Sequence, residues 1–94
     1  MGVGDDAVRL RMGRLMGTPG VLELVPRAEL LSALERHQRG DWGEVQEQDK
    51  WSNNAALKNG GRILSAYSTA GGTKFWIITE ADRSYTICLL PSEY

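Results

Sequence analysis

"KFWIIT", Lys74 to Thr79, is the stretch on which the fold turns. Alternation along a strand sends Phe75 and Ile77 to one face and Trp76 and Ile78 to the other, so this segment is apolar on both. Such a strand belongs in the middle of a sheet. Its neighbours in sequence supply the flanks: "RILSAY" (62–67) and "SYTICLL" (84–90) are rich in β-branched and aromatic residues. Gly71-Gly72 falls in the first connection, and "EADR" (80–83) is short enough for a hairpin turn in which Asp82 bonds its own backbone. The expectation is a three-stranded antiparallel meander. In its first strand Ile63, Ser65 and Tyr67 share one face, and Arg62, Leu64 and Ala66 share the other. One sheet face packs on helices; the other keeps a partly exposed aromatic or aliphatic patch.

The helices precede the sheet. In "TPGVLEL", Thr18 caps a first helix, and Pro19 suits its first position because the missing N–H would have no partner there. Pro26 interrupts the apolar pattern, and a second helix follows from about Arg27 to Gln38. Leu30, Leu31 and Leu34 form its inner face with Ala33 at the margin, while Glu29, Glu35 and Arg36 point outward. The fold class is therefore α+β, with N-terminal helices packed on one face of the meander.

Between helices and strands runs "RHQRGDWGEVQEQD", Arg36 to Asp49, with the only histidine of the chain. Arg36, His37 and Arg39 fall in the last turn of the second helix, where positive charge meets the negative end of its dipole. Gly40 suits the residue that ends a helix, and Asp41 with Glu44 has the spacing of a reciprocal N-terminal cap. Asp49 caps or continues a further helix through "KWSNNAALKN", which Gly60-Gly61 stops. Basic residues, then glycine, then acids is the order a helix–turn–helix junction selects for stability alone.

With 94 residues the chain holds one domain, expected over 13–94, with residues 1–12 as a flexible arm. A net charge of −1 and a pI near 5.8 disfavour a nucleic-acid binder driven by a basic stripe. One cysteine excludes an internal disulfide, and one distant histidine leaves no zinc-type ligand set, so no metal and no cofactor is expected. The start MGVGDDAVRL does not read as a signal peptide, and no apolar run reaches membrane-spanning length; the expected location is the cytosol. Gly2-Val3-Gly4 precedes any strand and lacks the third glycine of a dinucleotide fingerprint.

The sharpest catalytic reading joins His37 as a base with Asp41 or Asp49 as its orienting carboxylate, but no serine or cysteine adjoins them in sequence as a nucleophile. Glu47 with Asp49 could hold Mg²⁺, although such sites usually draw ligands from separated elements. Cys88 reads as an inert packed thiol and Trp42, Trp51 and Trp76 as core or half-buried residues. None of these spacings encodes a reaction.

Several segments together resemble a family of small proteins carried by bacterial plasmids, phages and other mobile elements. They are "MGRLMGTPGVLEL", "RHQRGDWGEV", the D-x-x-x-N of Asp49 to Asn53, "GRILSAY", "WIITEADRS" and "LLPSEY", covering about residues 12–94. Members are often labelled "type I restriction endonuclease subunit M" or plasmid-related protein. That label requires a large cofactor-binding α/β domain and an Asn-Pro-Pro-aromatic motif, and neither is present. Ile87 stands where the pattern more often has a second threonine. The resemblance implies a setting rather than an activity: mobile elements, whose compact proteins often block host restriction or CRISPR nucleases. Its polar positions without an evident structural duty are His37, Asp41, Asp49, Asn53, Glu80, Asp82 and Arg83.

Size, setting and the acidic 41–49 stretch favour a non-enzymatic protein, monomer or homodimer, that inhibits a host defence complex of CRISPR or restriction type. Asp41, Glu44, Glu47 and Asp49 would occupy a basic nucleic-acid channel, with Trp42 as anchor. Two alternatives stand beside it. One is a RelE-like ribonuclease toxin, loosely similar in element order but normally basic. The other is a small nucleic-acid-binding regulator using Arg9, Arg11 and Arg14 with Arg62 and Lys74.

Overall fold

The computed structural model describes residues 9–94. Its elements are β1 (Arg14–Gly17), α1 (Pro19–Leu24), α2 (Arg27–Gln38), α3 (Glu47–Asn59), β2 (Ile63–Ser68), β3 (Lys74–Thr79), β4 (Tyr85–Leu89) and a closing 3₁₀ turn (Pro91–Glu93). The class is α+β. The expected meander is present as β2–β3–β4, with Ile77 opposite both Ser65 and Cys88, and β3 lies inside the sheet as its two apolar faces require.

The sheet is nevertheless four-stranded and mixed, in the order β1-β4-β3-β2. The added strand, RLMG, runs parallel to β4 with Leu15 beside Thr86 and Gly17 beside Cys88. A parallel pair needs a long crossover, and here α1, α2, α3 and the two other strands supply it. The flexible arm expected over 1–12 is corrected at its end: Leu10 is buried and exchanges hydrogen bonds with Gln38, its N–H reaching the Gln38 carbonyl at 2.8 Å. Residues 1–8 lie outside the described residues.

Thr18 caps α1 as expected, accepting from the Val21 N–H at 3.3 Å. The Glu93 carboxylate closes the same helix end from the other terminus of the fold. It accepts from the Thr18 hydroxyl, from the Gly20 N–H at 2.9 Å and from the Leu90 N–H at 2.9 Å, and these bonds hold its carboxyl below the usual range. On α2 the buried residues are Ala33, Leu34 and His37; Leu31, expected inside, points to solvent.

All helices pack on one face of the sheet, over two apolar clusters. One holds Val21, Val25, Leu34, Tyr67, Phe75, Ile77 and Cys88; the other holds Leu10, Trp42, Ala56 and Ile63. Burial pushes the Cys88 thiol up to about 12, in line with an inert packed cysteine.

The outer edge of β2 would be a template for aggregation if left bare. It is closed twice. The Asn53 amide donates to the Leu64 carbonyl at 2.8 Å and accepts from its N–H at 3.2 Å, which clamps α3 to the strand. Two residues on, Ala66 pairs with the backbone of Trp42 and Glu44 at 3.1 and 2.7 Å. That pairing forces Gly43 into the left-handed region at φ 73°, against the Ala66 carbonyl and with the Tyr67 ring 2.8 Å from where a Cβ would stand. Gly60, at φ 80°, has open space at the same position. Gly43→Ala is expected to lower the free energy of unfolding by roughly 2–5 kcal/mol, strain plus overpacking, against about 1 kcal/mol for Gly60→Ala, as read from urea denaturation midpoints.

Candidate functional site

His37 is fully buried, with Nδ1 2.6 Å from Ser65 Oγ and Nε2 2.8 Å from Thr79 Oγ1. Thr79 Oγ1 lies 2.7 Å from Thr86 Oγ1, and Thr86 donates to the Met12 carbonyl at 2.7 Å. A carbonyl only accepts, so every proton in this chain has an assigned direction. Thr86 spends its proton on Met12, Thr79 spends its own on Thr86, and His37 must therefore donate from Nε2. Nδ1 is left bare and accepts from the Ser65 hydroxyl. The relay runs from β2 through α2 to β3, β4 and the segment before β1, and it passes between the two apolar clusters, with Trp42 edge-on to the His37 ring at 5.8 Å.

This corrects the expectation that His37 carries a positive charge against the α2 dipole. Burial, aided by the Arg83 charge, lowers its pKa to about 4, so the ring is neutral at pH 7. A serine proton on a histidine nitrogen is the geometry of a nucleophile and its base. Here both residues are sealed from solvent, and a substrate would reach them only if α2 parted from the sheet.

The other residues marked in the sequence separate into internal braces and surface groups. Trp42 is buried and donates from its indole N–H to Asn54 at 2.9 Å, so it is no surface anchor. Asn53 is buried as the β2 clamp. Arg83 sits at φ 62°, and its guanidinium takes the carbonyls of Gly61 (2.6 Å), Ala56 (2.8 Å) and Glu80 (3.1 Å), capping the C-terminus of α3. Asp82 accepts from the Ser84 N–H at 2.9 Å in the hairpin turn, as expected. Glu80 pairs with Arg62 at 3.4 Å.

Asp41 does not cap a helix with Glu44. It binds Arg36 at 2.7 Å and the Gly43 N–H at 3.2 Å, and the Arg36 guanidinium holds its carboxyl below the usual range. Glu44 bonds the Ser68 hydroxyl at 2.9 Å. Glu47 and Asp49 occupy the first turn of α3, exposed, where their charge favours the helix N-terminus. Among the described residues no three His, Cys, Asp or Glu side chains cluster in metal-binding proximity.

Trp51, expected to be core or half-buried, is neither. It stands 70% exposed on α3, one turn after Glu47. Its signal was available: the buried α3 stripe is Asn53 and Ala56 with Leu57 partly covered, and a residue two before Asn53 projects away from that stripe. Comparison with protein-family models, with curated proteins and with solved structures finds no match to this chain.

The lowered His37 pKa sets a pH dependence. The unfolded chain takes up this proton near pH 6.5 and the folded protein only near pH 4, so the stabilisation is complete above 6.5 and lost as pH falls to 4. The loss totals about 3 kcal/mol. Denaturation midpoints measured across this window should show that slope. His37→Gln, which keeps a donor and an acceptor without titrating, should flatten it. A steeper fall below pH 4 should remain, from the depressed carboxyls of Asp41, Asp82 and Glu93.

Proposed function

We propose that the protein is a non-enzymatic binding protein of a mobile genetic element that inhibits a host defence complex, of anti-CRISPR or anti-restriction type. Its contact surface is acidic and centres on the first half of α3. The observation that carries this reading is Trp51, 70% exposed beside Glu47 on a helix that Asn53 clamps to the sheet. An exposed tryptophan on a rigid element is the residue type that anchors protein interfaces, because it buries large area at little entropic cost. Glu44, Glu47 and Asp49 surround the approach with negative charge, suited to a basic channel that otherwise accepts phosphates. The resemblance to plasmid- and phage-borne proteins supplies the setting.

The interior supports the non-enzymatic half of the reading. His37 and Ser65, the pair with catalytic geometry, serve as a brace between α2 and the sheet. Trp51 replaces Trp42 as the anchor, and His37, Asn53 and Arg83 leave the contact set for internal roles. Asp41, Glu44, Glu47 and Asp49 remain on it.

The experiment is affinity capture from a host carrying CRISPR and restriction systems, followed by a nuclease inhibition assay on the complex recovered. The complex should weaken as salt rises past the range that screens surface charge. Trp51→Ala should weaken inhibition roughly tenfold or more, and the Glu44→Lys, Glu47→Lys double variant should abolish it, with unfolding midpoints close to that of the parent. Inhibition unchanged by both would end this reading.

A further inference from the structure

The β2 edge of the sheet is closed, but the β1 edge is bare: among the described residues no strand lies beyond it. The Arg14 N–H donates inward to the Ser84 carbonyl at 3.1 Å, and the Thr18 N–H to the Cys88 carbonyl at 3.0 Å. Backbone groups point alternately to the two sides of a strand, so Leu15 and Gly17 turn theirs outward. No loop or side chain among the described residues takes them. A bare edge accepts an extended chain, and the side chains along it decide which one.

Here they fit a second β1, antiparallel and centred on Met16. That register sets Leu15 opposite Gly17 of the other copy, and Gly17 opposite its Leu15, each pair exchanging both backbone hydrogen bonds. The neighbouring registers lose bonds. Centring on Leu15 would oppose Gly17 to Gly13, which has left the extended conformation at φ 65°, and centring on Gly17 would oppose Leu15 to Pro19, which has no N–H.

The side chains agree with this register on both faces. Leu15 and Gly17 lie on the helical face, beside Thr86 and Cys88. Leu15 is 53% exposed, and Leu22 of α1, 63% exposed, stands 3.0 Å from where a Cβ on Gly17 would be. Directly opposed residues share a face, so the Leu15 of one copy enters the gap at Gly17 of the other and meets Leu22 there. On the other face Met16 meets its own counterpart, and Arg14 stands opposite Thr18. The Thr18 hydroxyl donates to the exposed Glu93 carboxylate, so Arg14, exposed and without an ion pair among the described residues, comes beside an acid of the other copy. The twofold repeats each contact.

We propose that the chain forms a twofold dimer through β1, its two sheets made continuous, with Leu15 packed on Leu22 of the other copy and Arg14 paired with Glu93. The α3 surface lies against β2, at the opposite side of the sheet. Dimerisation therefore leaves both Trp51 surfaces free, and its test does not depend on inhibition of any partner.

The experiment is sedimentation equilibrium of the whole chain. A short edge pairing belongs to the weak end of interfaces, so loading should span roughly 10–1,000 μM. The weight-average mass should rise across it from that of one chain towards twice that value. Leu15→Lys, which puts charge on the edge, and Arg14→Glu, which sets like charges together at Glu93, should each raise the dissociation constant roughly tenfold or more. Leu31→Lys, at an equally exposed leucine of α2, should leave it unchanged. Met16→Cys reads the register: its two copies would face each other as a non-hydrogen-bonded pair about 4.5 Å apart at Cα, so mild oxidation should link them. The parent, whose one cysteine is buried, should not link. A chain that stays monomeric throughout the range overturns the proposal. So does a dimer that survives both Leu15→Lys and Arg14→Glu, one that Leu31→Lys dissociates as readily, or one in which Met16→Cys does not link.

Discussion

A hydroxyl or imidazole taken out of water without a partner costs more than its hydrogen bond returns, and this constraint organises the interior. Five polar groups cross the buried face in one line: Ser65, His37, Thr79, Thr86 and the Met12 carbonyl. Each is satisfied only if the others stand in register, because the single acceptor at the end determines which way every proton points. Shifting any strand by one residue would turn its member of the relay to the opposite face and leave its neighbours unpaired. Apolar contacts among Val21, Leu34, Phe75 and Ile77 tolerate small displacements; the relay does not. It therefore ties the strands to one register, and among the described residues no buried side-chain polar atom is left without a partner.

What could be read from the sequence was local. The two-faced apolarity of KFWIIT placed β3 inside the sheet, Thr18-Pro19 marked the start of α1, and Pro26 separated two helices, since each signal resides within a few residues. What escaped was contact at a distance. His37 meets its partners 28 and 42 positions away, and no local pattern distinguishes a histidine that ends a helix from one that bridges a sheet. The strand RLMG has neither β-branched residues nor length, and its pairing with Tyr85–Leu89 exists only after three helices have crossed the sheet. Burial of Trp42 follows from the return of residues 42–44 to Ala66, again non-local.

The same economy determines which residues remain for function. Of the ten polar and aromatic positions singled out, His37, Trp42, Asn53 and Arg83 are consumed in closing the fold, and Asp82 shapes a turn. Glu44, Glu47 and Asp49 have little structural duty, and Trp51 has none that its 70% exposure allows. Leu15, Leu22, Leu24, Leu31 and Tyr94 are also left outside, and among these large apolar side chains Trp51 is the most exposed. On the proposed reading, contact with a partner covers it.

Rigidity connects the surfaces to the interior. Asn53 bonds β2 through both its amide groups, and one helical turn separates it from the exposed acids, so the bearing of α3 is set by the sheet rather than by the loops around it. Arg83 fastens the other end of the same helix from the β3–β4 hairpin. A partner of the proposed kind would meet at Trp51 a surface already ordered, and would lose little conformational entropy on docking. Beneath α2 the same strands are tied to one another through Ser65, Thr79 and Thr86, with the neutral imidazole of His37 as the bridge.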